Sequence, residues 1–153
     1  KLRMRLKANR SSILEAHNGG KDMSTERPLY TSLRYAARDD FLPAVIWENE
    51  AVDEEYWQLL KDIQYAGGNG YVELETDKMH PQGKLRALYI AQGITRSYVF
   101  KLFAKPDRFW YCSVNVSKEA EAEPVSSAQA AEEIRTARSY LTQILRDKEI
   151  GNY

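Results

Sequence analysis

The chain opens on a strict alternation. Leu2, Met4, Leu6 and Ala8 fall on one side, and Lys1, Arg3, Arg5 and Lys7 on the other. Period two predicts a strand with one basic face, with a short helix as the alternative. His17-Asn18-Gly19-Gly20-Lys21-Asp22 is a run of turn residues and predicts a loop. Pro28 suits the first position of a helix, and Leu29, Leu33, Ala36 and Ala37 share a helical face to about Asp40, with Pro43 as the stop. Ala44–Trp47 is a short apolar run that predicts a strand. Asp53–Ala66 predicts a helix: carboxylates stand at its start, Tyr56, Leu59, Leu60 and Ile63 form its stripe, and Gly67-Gly68 ends it.

From residue 69 to 151 the pattern predicts an antiparallel β-meander closed by one amphipathic helix. Its strands are Tyr71–Thr76, Leu85–Ala91, Ser97–Ala104 and Phe109–Val116, with turns at His80–Gly83 and Lys105–Arg108. Lys118–Pro124 reads as a charged link. Ser126 and Gln129 have capping-box spacing. Ala130, Ile134, Ala137, Leu141 and Ile144/Leu145 then form one helical stripe, with Gly151 as its stop. The fold class expected is α+β, a meander of four or five strands packed against two or three helices. Residues 1–43 form a basic strand, loop and short helix, residues 44–153 the α+β core, and the two together one compact unit.

Length and composition sharpen this only slightly. A chain of 153 residues can bury a core without disulfide staples. It has one cysteine, Cys112, so no internal disulfide forms, and its apolar strand context predicts a buried inert thiol in a reducing compartment. No apolar run reaches the roughly 20 residues of a membrane span, so a cytoplasmic protein is expected. The chain begins at Lys1 rather than Met, as a fragment or processed product does.

Charge changes the picture more. The net charge is zero, yet residues 1–38 hold nine Lys/Arg against three Asp/Glu, and residues 39–77 hold Lys61 against eleven acids. Residues 78–112 return to seven basic residues and one acid, Asp107. Either the blocks neutralise each other or they set up local fields.

The segment Lys84–Trp110 interleaves Lys84, Arg86, Arg96, Lys101, Lys105 and Arg108 with aromatic residues. Cations for phosphates and flat rings for bases make a nucleic-acid face on a sheet. The plain alternative is a half-buried sheet with a solvated basic side. Tyr98, Phe100 and Leu102 point opposite to Lys101, so some of these aromatics belong to the core. The Lys1–Arg10 patch, including Arg3 and Arg5, is either a phosphate-contacting strand or a solvated edge, and Lys118 adds one more cation. His17 and His80 lie in predicted loops as surface histidines, with His80 a candidate for acid/base work. No metal set is present in the sequence: Glu15-Ala16-His17 lacks further ligands, and one cysteine excludes a thiolate zinc knuckle. The acidic 48–62 region, with Trp47 and Trp57, is either a surface for a basic protein partner or a solvated helix face.

In its C-terminal half the chain resembles the RelE/ParE superfamily of toxin–antitoxin toxins, HigB-like branch. The matching positions are Leu85–Leu88, Gly93, Arg96, Tyr98–Phe103, Val116–Lys118 and Pro124. The resemblance implies a metal-independent, ribosome-dependent ribonuclease with no cofactor. Arg86, Arg96 and Lys101 would stabilise the phosphorane charge, and His80 or a tyrosine would carry the proton. The rival expectation is a non-catalytic accessory module of a DNA- or RNA-processing complex, docking through the basic sheet. A structural subunit with no nucleic-acid role is the third.

Overall fold

The computed structural model describes residues 10–17, 30–38, 50–65, 70–105, 108–117 and 126–151. Their core is one six-stranded sheet in the order β3-β2-β1-β6-β5-β4, with every neighbouring pair antiparallel. The strands are β1 (Arg10–His17), β2 (Tyr30–Arg38), β3 (Glu50–Ala51), β4 (Val72–Glu75), β5 (Ile94–Lys105) and β6 (Arg108–Ser117). Three helices accompany them: α1 (Glu54–Gln64), α2 (Lys84–Ala91) and α3 (Ser127–Gly151).

The α+β class and the closing helix agree with the sequence pattern, and β4, β5 and β6 are the consecutive antiparallel neighbours of a meander. Two elements differ in kind. Leu85–Ala91, expected as a strand, is helix α2. Its apolar residues Leu85, Leu88 and Tyr89 stand at i, i+3, i+4, so they meet the sheet from one helical face. Gly93 then takes φ +69°, a left-handed turn that releases the chain into β5. Residues 30–38, expected as a helix, are strand β2. Pairing with β1 overrides local propensity there, and Thr31 and Ser32 end up fully buried. The register slips between Ile13 and Leu14, leaving Arg34 as the extra residue of a bulge.

His17 corrects a third expectation. It ends the central strand β1, buried, with Nε2 2.9 Å from the Ser32 hydroxyl. The strand expected at Lys1–Ala8, the Ala44–Trp47 run and the Lys118–Pro124 link lie outside the described residues.

The sheet is buried on both faces. On one, Tyr98, Phe100, Leu102, Phe103, Trp110, Cys112, Val114 and Val116 pack with Ala130, Ile134 and Leu145 of α3. On the other, Leu14, Ala16, Val99, Phe109 and Tyr111 pack under Leu59, Leu60 and Ile63 of α1 and Leu85 and Tyr89 of α2. Strand alternation makes this division, since Tyr98 and Phe100 take one face and Val99 between them the other. Helix α1 starts on Asp53, whose carboxylate accepts the Tyr56 N–H at 2.8 Å. Helix α3 starts on Ser126, whose hydroxyl accepts the Gln129 N–H at 3.2 Å. Two polar contacts lock α3 onto the sheet: Thr142 donates to the Leu102 carbonyl and Arg138 to the Gly70 carbonyl, both at 3.0 Å.

Ile134 is fully buried between α3 and the sheet, whereas Tyr140 on the same helix is 68% exposed. Ile134→Ala should cost about 2–5 kcal/mol in urea denaturation. Tyr140→Ala should stay within about 0.5 kcal/mol. Equal costs would contradict the seating of α3.

Candidate functional site

Between the sheet and the roof formed by α1 and α2 lies a cavity of about 60 Å³, partly open to solvent. Its floor is built by strand periodicity. Arg10, Ser12 and Leu14 of β1 project into it at every second position, as do Tyr111, Ser113 and Asn115 of β6. The antiparallel register sets these six side chains in three rows: Arg10 opposite Asn115, Ser12 opposite Ser113, Leu14 opposite Tyr111. The floor therefore grades from charged through hydroxyl to apolar over roughly 13 Å, the rise of four strand residues. Val99 of β5 and Leu33 of β2 flank it, and Tyr56, Leu59, Leu85, Leu88, Tyr89 and Gln92 close it from above.

Each end carries its own hydrogen-bond network. At the polar end, Arg10 donates to the Gln92 side-chain oxygen at 2.7 Å, one of its several contacts. Ser97 and Ser113 donate to Asn115 Oδ1 at 2.8 and 3.0 Å. At the apolar end the Thr31, Tyr111 and Tyr56 hydroxyls form a chain with spacings of 2.5 and 2.6 Å. Burial pushes the Tyr111 phenol well above its ordinary range, against hydrogen bonds from Thr31 and Tyr56 that pull the other way. Burial, then the neighbouring Tyr111, does the same to Tyr56. Tyr89 is also raised by burial, with Ser97 and Ser113 opposing. All three phenols are neutral donors at ordinary pH.

Cys112 sits between Tyr111 and Ser113 in β6 but faces α3, on the side of the sheet away from the cavity. Burial pushes its thiol up to about 12. Among the described residues, no group of three or more His, Cys, Asp or Glu is arranged to hold a metal ion.

The residues singled out from the sequence are scattered. Arg86 is half-buried on α2 and does not line the cavity. Arg96 lies on the α3 side of β5, in line with Tyr98, and its Nε is 3.3 Å from a Glu73 carboxylate oxygen. Lys101 lies on the opposite side, across from Tyr111. Lys105 and Arg108 face each other at the far end of the β5–β6 hairpin. Lys84 is exposed at the start of α2, and His80 is exposed in the preceding turn, its Nδ1 accepting the Gln82 N–H at 3.1 Å. Arg3, Arg5 and Lys118 lie outside the described residues. In the acidic 48–62 stretch, Asp53 caps α1 and Glu54 and Glu55 sit in its first turn, where the helix dipole favours them.

No family model and no curated protein matches the sequence. Solved structures do match in shape. The GAF domain of a two-component sensor histidine kinase from Bacillus halodurans superposes with a TM-score of 0.63 at 12% identity, over 95% of this chain and 86% of that one. A phycoerythrobilin-bound GAF domain from a cyanobacterial phytochrome gives 0.65 at 12% identity, over 99% and 83%. The GAF domain/HD domain protein from Geobacter sulfurreducens gives 0.57 at 12% identity, over 97% and 87%. The chain has the GAF fold.

That finding overturns the RelE/ParE, HigB-like resemblance. The resemblance needs Leu85–Leu88 as a strand, with Arg86, Arg96 and Lys101 converging on one phosphate. The segment is a helix, and the three cations occupy a helix and the two opposite faces of the sheet. The ribonuclease reading, the nucleic-acid partner, the RNA-binding character and the accessory module of a DNA- or RNA-processing complex fall with it. For the membrane, the structural statement is limited: among the described residues no helix is long and apolar enough to cross one.

The cavity residues are hidden in plain patterns. In the sequence Arg10 reads only as the end of a basic patch, and residues 10–17 do not stand out as a strand. The available signal is the period-two spacing of Arg10, Ser12 and Leu14 opposite the same spacing in Tyr111, Ser113 and Asn115.

The buried groups set two expected outcomes. Tyr56 and Tyr111 ionise near 10.0 when unfolded and only at higher pH when folded. Above about pH 10 the unfolded chain has released protons that the folded one keeps. The stability from these neutral phenols is thus whole below that pH and falls as pH rises through the folded values. Urea midpoints measured across this alkaline range should decline less steeply in the Tyr56→Phe/Tyr111→Phe double variant. Tyr111→Phe alone should cost about 1–3 kcal/mol at neutral pH, because Thr31 and Tyr56 lose their shared partner. Separately, Cys112 should resist a thiol reagent in the native protein at mildly alkaline pH and react at once in denaturant. Rapid native labelling would contradict its burial.

Proposed function

We propose that this chain is a sensory domain that binds a small molecule in the cavity between its sheet and helices α1 and α2. The observation that carries this reading is the lining itself: a mostly apolar concavity with a few fixed polar groups is how small-ligand sites are built. Spending buried arginine, asparagine, serines and tyrosines on one cavity does nothing for packing that leucines would not do better. The fold supports the same reading. The structures of that shape include a domain of a sensor histidine kinase and domains described as bound to phycoerythrobilin and phycocyanobilin.

The cavity limits the size of the ligand. A cavity of about 60 Å³ holds roughly four to six water-sized groups. It is far below the roughly 300 Å³ at which drug-sized sites begin. A thioether link is also closed to it, because Cys112 faces the other side of the sheet. The ligand is therefore small and held without a bond to sulfur.

A thermal-shift survey of metabolite-sized compounds tests this. A bound ligand raises stability by about 2.7 kcal/mol at a hundredfold excess over Kd. Leu88 lines the cavity from α2. Leu88→Trp should fill that space and abolish the shift while leaving the far-UV spectrum intact. Hits that stabilise Leu88→Trp as strongly as the parent would place the binding elsewhere and overturn the proposal.

A further inference from the structure

If the cavity is a ligand site, a lining hydroxyl that the protein leaves unbonded says which class of ligand it takes, an inference that rests on that reading. We propose that the cavity takes a short-chain neutral alcohol, its hydroxyl on the Ser12 hydroxyl at the middle of the floor and its carbon chain among Leu14, Leu59 and Val99.

Ser12 lines the cavity from β1 and is only 8% exposed. It stands directly opposite Ser113 in the β1–β6 register, where two facing hydroxyls are close enough to bond. The Ser113 hydroxyl is instead engaged with the Ser97 hydroxyl at 3.2 Å and with Asn115 Oδ1 at 3.0 Å. Ser12 is left with no hydrogen-bond partner among the described residues. Buried hydroxyls are normally paired, and one that is not has given up hydration without return. At the wall of a cavity, a bound molecule can supply the missing partner.

The rest of the lining narrows the class. Arg10 is held by Gln92 at 2.7 Å and by a further contact within the protein, so its guanidinium belongs to the protein's own network. No lining residue is Asp, Glu, Lys or His. A neutral ligand leaves that network as it is and buries no new charge. A serine hydroxyl has one donor and two acceptor lone pairs. A ligand hydroxyl can both give to it and take from it, whereas a ketone can only take.

The apolar part follows from what lies beside Ser12. Leu14 is the next floor position on the same strand face, and Leu59, Leu85, Leu88 and Val99 line the space with it. Burial against these side chains favours methylene groups. A cavity of about 60 Å³ limits the whole ligand to roughly four to six non-hydrogen atoms, an alcohol of about three to five carbons.

The test titrates the protein with 1-butanol, 2-butanone and butyrate, and reads the Leu14, Leu59 and Val99 methyl signals by NMR. 1-Butanol should bind at least threefold tighter than 2-butanone and at least tenfold tighter than butyrate. In Ser12→Ala the affinity for 1-butanol should fall at least fivefold, and its lead over 2-butanone should vanish. Ligand-free Ser12→Ala should melt no lower than the parent, because no bond within the protein is lost. A variant that melts several degrees lower, or unfolds, would make Ser12 a structural residue and overturn the inference. An unchanged affinity for 1-butanol in Ser12→Ala would do the same. Butyrate as tight as 1-butanol would overturn the neutral class, and 2-butanone as tight would overturn the alcohol; either leaves the ligand site standing. No methyl shift with any of the three at tens of millimolar would overturn the alcohol inference alone if the thermal-shift survey finds other ligands lost in Leu88→Trp, and both readings if it finds none.

Discussion

The pairing of β1 with β6 is the constraint on which the rest depends. It aligns residues 10–17 with 108–115 at the middle of the sheet, and both strands are covered on both faces. Because side chains alternate, every residue of this pair is assigned either to the α3 core or to the cavity. A slip of one residue would send Cys112 and Val114 into the cavity and Ser113 and Asn115 under α3. The hydrophobic demand of α3 for Trp110, Cys112, Val114 and Val116 therefore also fixes where Arg10, Asn115 and Tyr111 stand. Site geometry here is a by-product of core packing.

The same constraint separates what was legible in the sequence from what was not. Helix α1 announced itself through its leading carboxylates and its Tyr56, Leu59, Leu60, Ile63 stripe, and α3 through a long stripe beginning at Ser126. The β5–β6 hairpin was clear, as was the placing of Tyr98, Phe100 and Leu102 on the face opposite Lys101, which is core. What stayed hidden was everything shaped by contact with distant residues. A strand buried on both faces has no polar side, so β1 does not alternate as a surface strand does. Its His17 reads as a surface loop residue although it is buried, as are Glu15 and Arg10. Helix α2 is eight residues long, and at that length an apolar run fits either period. Taken as a strand, it puts Arg86 beside Lys101 and produces a basic face that the fold does not contain.

The polar groups around the cavity run against stability. A buried guanidinium costs several kcal/mol of hydration, which the contacts of Arg10, the one to Gln92 among them, must offset. The three-hydroxyl chain of Thr31, Tyr111 and Tyr56 is satisfied internally, but an apolar triad of the same volume would need no such satisfaction. The opposite face of the sheet packs the apolar side chains of β5 and β6 under α3, with Glu15, His17 and Ser32 buried at its β1–β2 end.

The same sheet is also the physical link between the two faces. Helix α2 touches β5 on the cavity side, at the strand that supplies Val99 to the lining. The residues on either side of Val99, Tyr98 and Phe100, lie in the α3 core, and the Leu102 carbonyl accepts from Thr142 of α3. Interiors packed at crystal-like density pass small displacements on rather than absorbing them. A ligand that held α2 away from β5 would therefore load the seat of α3 through a single strand. Its effect would be limited to the difference in its affinity for the two positions of α2. Under the proposed ligand-binding reading the relevant energy is that difference, and the polar wall of the cavity is where a ligand would acquire it.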